Sequence, residues 1–346
     1  MNTIGKLPAL ATISAAPVPA GAACLYCGSE KLVPLYSGVR DRLGFVPGER
    51  VFWQCRDCDS AVLVPLPTTE ELPEFYPPVY SFTLELGGQS KFKRLLSQAE
   101  YHLFFRPQYT AQTRRLMKTC GWERGDGKKL LDVGCGRGLR LLEFRKLGFD
   151  VHGLDVQTDV VRYLREELQI PAEVADVSAM TAIHPPGTFD LITTYFLIEH
   201  IPNVQAAIAG MYDLLKPGGW MAAAVPFVDC LQAKVFGHRW IHVREAPRHL
   251  SLPTQKGMKR VCHSAGFDHV EIRPDSALNC AGQIASSLIP GATLTHVYGG
   301  GRILPLIKRV LGAAVMLWSV PWCLFENHVL GRISFGVVLA RKPESR

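Results

Sequence analysis

Three groups of residues have types and spacing that could do chemistry. The first is the run Asp132-Val-Gly134-Cys135-Gly136-Arg-Gly138, where a short apolar stretch ends and an amphipathic one begins. Glycines here let the backbone turn sharply and bring its N–H groups close to a ligand. Two acids follow at the ends of the next apolar runs. Asp155 closes DVHGLDV, where its carboxylate could accept hydrogen bonds from both hydroxyls of a ribose. Asp176 closes AEVADV, where it could take an adenine amino group. A nicotinamide dinucleotide fingerprint needs G-x-G-x-x-G, and Leu139 stands where its last glycine would fall.

The second group is Cys24-Leu-Tyr-Cys27 and Cys55-Arg-Asp-Cys58. Each C-x-x-C turn presents two thiolates from one tight knuckle, and two such knuckles close a tetrahedral zinc site with no open position. Such a site holds a small module together and leaves the chemistry to other residues. The other six of the ten cysteines show no pairing pattern. The chain is too long and too apolar for a secreted disulfide scaffold, so a reducing cytosol is its expected home.

The third group is rich in histidine. His200 lies in Ile198-Glu199-His200-Ile201-Pro202, just past a predicted strand. Residues 236–249, FGHRWIHVREAPRH, add His238, His242 and His249 with three arginines and Trp240. Cations and an aromatic beside a pocket suit an anionic or sugar-like ligand, whereas a solvated basic loop would carry the same residues.

These groups need elements to position them. From residue 129 onward, short apolar runs alternate with amphipathic stretches: LLDVG, DVHGLDV, AEVADV, FDLITTY, GWMAAAVP, HVEIR and ISFGVVLAR read as strands. That alternation predicts an α/β fold with a parallel sheet covered on both faces. The last two strands are expected to pair antiparallel at one edge. VFWQC and AVLVPL predict strands of a small β-type module. The expected organisation is a flexible tail over 1–22, a zinc ribbon over 23–66, a linker and helical segment over 67–110, and one large domain over 111–346. An apolar insertion over about 276–330 interrupts that domain. Within it, ILPLIKRVLGAAVMLWSVPWCLF (303–325) suits an element lying in a membrane interface, a lid or a dimer interface. Lys91–Arg94 adds a basic stretch to the membrane reading. The net charge of +7 is mild, and 47% hydrophobic content excludes wholesale disorder.

In order and spacing, residues 128–273 resemble the class I S-adenosylmethionine (SAM)-dependent methyltransferases. The matching motifs are LLDVGCGRG, Asp155, Asp176, FDLITTYFLIEHIPN and LLKPGGW. The resemblance implies a Rossmann-like sheet of seven strands, the last antiparallel, with SAM across the carboxyl ends of the first strands. It places Gly134, Gly136 and Gly138 along the methionine moiety with Asp132 near its amino group. It also puts Asp155 at the ribose, Asp176 and Val177 at adenine, and Tyr195 beside the transferred methyl. Cys135 and Val156 complete the cofactor-binding set. Several bacterial methyltransferases look similar overall, with a zinc ribbon ahead of the catalytic domain.

SAM already carries the activation, so the protein mainly aligns the nucleophile and removes its proton. His200, Tyr195 and His249 are the candidates for that work. The expected activity is methyl transfer to an O, N or C nucleophile of a small-molecule, sugar or lipid-linked acceptor. SAM would be co-substrate and one zinc structural, in a cytoplasmic protein with peripheral membrane contact through 303–325. The alternative is an RNA methyltransferase that uses the ribbon for nucleic-acid contact. Against it, Thr193-Thr194-Tyr195-Phe196 lacks the Asn/Asp-Pro-Pro-aromatic motif of amino-methylating nucleic-acid enzymes, and no long basic, aromatic-interleaved run occurs.

Overall fold

Two sheets organise the chain in the computed structural model, which describes Pro19 and residues 21–76, 106–289 and 303–344. Most of the expected tail, the basic stretch Lys91–Arg94 and the helical pattern up to residue 105 lie outside the described residues.

The larger sheet has seven strands. They are β4 (Lys129–Val133), β5 (Asp150–Asp155), β6 (Ala172–Val174), β7 (Phe189–Tyr195), β8 (Leu215–Pro226), β10 (His269–Pro274) and β11 (Phe335–Arg341). Their order is β10-β11-β8-β7-β4-β5-β6. β4 runs parallel to β5 on one side and to β7 on the other. β11 is antiparallel to both its neighbours. β4 and β8 are apolar and buried on both faces, as strands covered by helices on each side must be. The order reverses at β4, so the loops after β4 and β7 diverge and open a crevice at the carboxyl ends.

The helices are α1 (Arg106–Cys120), α2 (Leu139–Lys146), α3 (Thr158–Glu166), the single turn α4 (Met180–Ile183), α5 (Val204–Leu214), α6 (Leu231–Phe236), α7 (Gln255–Ala265), α8 (Ala277–Leu288) and α9 (Ile303–His328). Several start on a local cap. Asn203 accepts from Ala206 N, Thr254 from Gly257 N and Ser276 from Asn279 N. Each cap satisfies an N–H that the first turn leaves unpaired.

The smaller sheet pairs β1 (Leu32–Val39), β2 (Arg50–Cys55), β3 (Ala61–Leu63) and β9 (Ser251–Leu252) in that order, all antiparallel. Its fourth strand comes from the large domain. The ribbon is therefore welded on: Cys24, Cys55 and Cys58 share one core cluster with Met221 and Val225 of the large sheet.

One boundary changes in detail. α1 runs unbroken through the boundary placed at 110/111. The LLKPGG motif spans the end of α5 and the opening of β8. As expected, the last two strands pair antiparallel at one edge of the sheet, with β11 between β8 and β10. The apolar insertion folds as α8 and α9, packed side by side.

Candidate active site

The glycine turn follows β4 with Gly134, Gly136 and Gly138 at φ of 72°, 47° and 67°, a region that side-chain-bearing residues rarely adopt. A Cβ on Gly134 would stand 3.1 Å from Leu197, whereas one on Gly136 would meet nothing within 4 Å. The turn thus presents an open backbone face at Gly136. Asp155 ends β5 beside it. Its Oδ2 accepts from Gly136 N at 2.9 Å and its Oδ1 from Gln157 N at 3.0 Å. Burial raises its pKa, while those N–H groups favour the charged form. Val156 is exposed next to it and Cys135 is buried behind the turn. This donor set fits a ribose at the carboxylate and a polar chain along the glycines.

Asp132 is buried, accepts from Thr193 Oγ1 at 2.6 Å, and is pushed up to about 6 by burial. Asp176 is exposed and caps the short turn at Val177, accepting from Ser178 N at 2.9 Å; Val177 is buried. Tyr195 closes β7, and the Arg140 guanidinium lies 3.4 Å from its ring centroid. Arg140 also donates to Gln112 at 2.8 Å.

The histidines gather behind the turn that follows β7. The His200 and His249 rings meet edge to face at 4.7 Å, and His249 stacks on His242 at 5.5 Å. His249 Nδ1 donates to His242 O at 2.9 Å, which leaves Nε2 with its lone pair. His200 Nδ1 lies 2.9 Å from Tyr76 Oη and 3.0 Å from Arg248 O. Burial lowers the pKa of His200 and His242 to about 4 each and that of His249 well below its usual value. All three are neutral near pH 7. Glu199 is fully buried, its carboxylate oxygens lack a hydrogen-bond partner among the described residues, and burial pushes it up to about 8. Glu199, His200 and His249 each bring one ligand-type atom within 4.8 Å of the others.

The expectation that residues 236–249 offer their cations to a ligand is corrected at Arg248. That side chain is fully buried, with a forked pair to Asp41, an Nε contact to Glu245 at 3.2 Å and a bond to Phe75 O. Arg42 pairs with the same Glu245. Against burial, Arg42 and Arg248 hold the Glu245 carboxyl below its ordinary value. Of the other arginines, Arg239 is exposed and Arg244 half-buried.

The four cysteine sulfurs lie within 4.8 Å of one another, with Cys24–Cys58 and Cys27–Cys55 at 3.5 Å. Those separations exclude a disulfide, whose S–S bond is about 2.05 Å. They bracket the edge of about 3.8 Å that four sulfurs at about 2.3 Å from one zinc would define. The contact with Cys24 pulls Cys58 down to about 5, while the same contact and burial push Cys24 up.

Asp41, Glu245, Tyr76 and Arg140 escaped the sequence reading. Asp41 lies 207 positions from the Arg248 it neutralises, so no local pattern announces it. Arg140 leaves a local trace: a cation in the first turn of a helix opposes the helix dipole and asks for a reason.

Residues 104–272 match the family model of a methyltransferase domain. The chain is similar to the ubiquinone biosynthesis O-methyltransferase of Thiobacillus denitrificans, with 34% identity over 28% of this chain and 43% of that protein. The corresponding protein of Cupriavidus pinatubonensis is 28% identical over 49% of this chain and 72% of its own length. The chain thus spans less than half the length of the first curated relatives it matches. Among solved structures, a SAM-dependent methyltransferase from Archaeoglobus fulgidus aligns over 73% of this chain and 100% of its own, at a TM-score of 0.45 and 17% identity. Residues 104–272 thus match a methyltransferase domain, and a four-cysteine cluster lies N-terminal to them.

Proposed function

We propose that this chain transfers the methyl group of SAM to an oxygen of a small-molecule or lipid-linked acceptor, with nitrogen and carbon as other acceptor atoms of the same chemistry. The observation that carries the reading is the open backbone face at Gly136 beside the Asp155 carboxylate, at the point where the strand order reverses. The relatives' name supports an oxygen acceptor on a small molecule.

When bound, SAM supplies a methyl group already activated as a sulfonium. Asp155 holds the ribose, the glycine turn holds the amino-acid end, and Asp176 with Val177 edges the adenine. Tyr195, steadied by Arg140, forms one side of the methyl position. His200 and His249 stand on the acceptor side. Both rings are neutral at pH 7, and the Nε2 of His249 receives the one proton that the acceptor loses. Leu197, against Gly134, links the donor turn to the turn that carries His200.

The four cysteines hold one structural zinc. The ribbon serves as a wall of the catalytic domain: β3 pairs with β9, and Tyr26 of the first knuckle is buried with its hydroxyl 2.8 Å from Ser251 Oγ. That packing supports a structural role over RNA contact. None of the described cysteines is paired in a disulfide, in keeping with a cytoplasmic protein.

Thermal stability with SAM or its demethylated product tests the reading. An upshift with either, and none with NAD, is expected. The reverse pattern would end it.

A further inference from the structure

α9 is built inside out. The polar residues of its second half, the terminal His328 apart, face the protein. Ser319, Cys323, Glu326 and Asn327 are buried, and Glu326 Oε1 accepts from Leu231 N at 2.5 Å and Gln232 N at 3.3 Å at the start of α6. Its solvent side carries Leu311, Leu317, Trp318, Trp322, Leu324 and Phe325, all exposed, with Trp318 at 84%. At 100° per residue, those positions cover about 160° of the helix circumference. The stretch Val310–His328 has a mean hydropathy of 1.3, and only 22% of it is buried. A core helix of that composition would be mostly buried, and a surface helix of a soluble protein would show the opposite polarity.

We propose that this half-cylinder seats in the headgroup region of an anionic phospholipid bilayer, lying in one leaflet without crossing it. Three observations favour lipid over a second copy of the chain. A partner helix covers one stripe, narrower than 160°, and would leave part of this face in water. Two tryptophans on an apolar helix face suit the boundary between acyl chains and headgroups. Exposed Lys234 and Arg239, on or just after the α6 that rests on Glu326, and exposed Arg332 after α9, give the neighbourhood the positive charge that an anionic surface attracts.

The surface connects to the site. Val315, Met316 and Val320 of α9 pack in the same apolar cluster as Tyr195, at the end of β7. An acceptor carrying an apolar tail would reach the methyl position along α9 without leaving the bilayer. That extension rests on the proposed acceptor class, whereas the docking surface stands without it.

Flotation of the full chain on vesicles of phosphatidylcholine with phosphatidylglycerol tests the surface. The native chain should float, with binding that weakens in high salt. The double variant Trp318→Glu/Trp322→Glu should lose about tenfold or more of the floated fraction while keeping its circular dichroism and its SAM upshift. A native chain that stays at the bottom overturns the proposal. So does a native dimer that the double variant turns into monomers, with no flotation of either. Flotation without any SAM upshift would sink the methyl-transfer reading and leave the surface intact.

Discussion

The proposed donor side and the proposed acceptor side of this crevice are built in opposite ways. The donor side is local: a glycine turn, the acid that ends the next strand, and the backbone N–H groups between them span Gly134 to Gln157. The acceptor side is assembled from afar. Asp41 and Tyr76 come from the ribbon and the segment after it, His200 from the turn after β7, and Arg248 and His249 from the loop before β9. A local site is cheap to order and tolerates change elsewhere. An assembled wall depends on every element that holds it, so damage to the ribbon should reach the histidines while leaving the donor turn folded correctly only as long as the shared core survives.

Substitutions can break this contrast in order of size. Cys58→Ser removes one of the four proposed zinc ligands and a buried member of the shared core. The expected result is loss of bound metal by elemental analysis and loss of cooperative unfolding, because metal binding and folding of such a module are one free energy. A folded, fully stable variant would show that the ribbon is separable. Next comes Arg248→Met, which removes the cation from the buried Asp41 carboxylate and leaves it only the backbone N–H groups of Leu43, Phe45 and Val46. Breaking a buried pair in this way costs about 3–5 kcal/mol, read as a lower midpoint in urea. Asp155→Ala should act on the donor side alone. Losing charge-assisted bonds to a ribose is worth about 1.5–3 kcal/mol, so the SAM Kd should rise by roughly 10- to 100-fold with little change in turnover at saturation. His249→Gln should do the reverse, lowering turnover by about 100-fold at unchanged SAM affinity.

A pH dependence of the wall gives a further test. Burial holds His242 at about 4 in the folded chain, against about 6.5 unfolded. The unfolded state therefore binds more protons between those values, and stability is lost as pH falls from about 6.5 towards 4. His242→Phe should flatten that limb of the pH–stability curve. An unchanged limb would assign it to other groups.

Legibility in the sequence follows the same division. The strands, the glycine turn and the cysteine pairs could be read because period, glycine and C-x-x-C spacing all act over a few residues. The LLDVGCGRG turn, Asp155 and the C-x-x-C pairs are of this kind. The arginine-rich loop was misread because charge composition does not say which cations are already paired. Arg248 and Arg42 are neutralised by Glu245 three positions from Arg248 and by Asp41 beside Arg42, and only the fold brings the two halves together. The inside-out polarity of α9 was equally hidden. An apolar run with scattered polar residues shows its hydrophobicity in sequence, and only packing against α6 and α8 shows which side faces out.

The most direct measurement is a calorimetric titration of the intact, zinc-replete chain with S-adenosylhomocysteine. One equivalent should bind, and Asp155→Ala should weaken binding by roughly tenfold or more without unfolding the protein. Absence of binding by the native chain, or binding that Asp155→Ala leaves untouched, would contradict the assignment of this crevice to SAM.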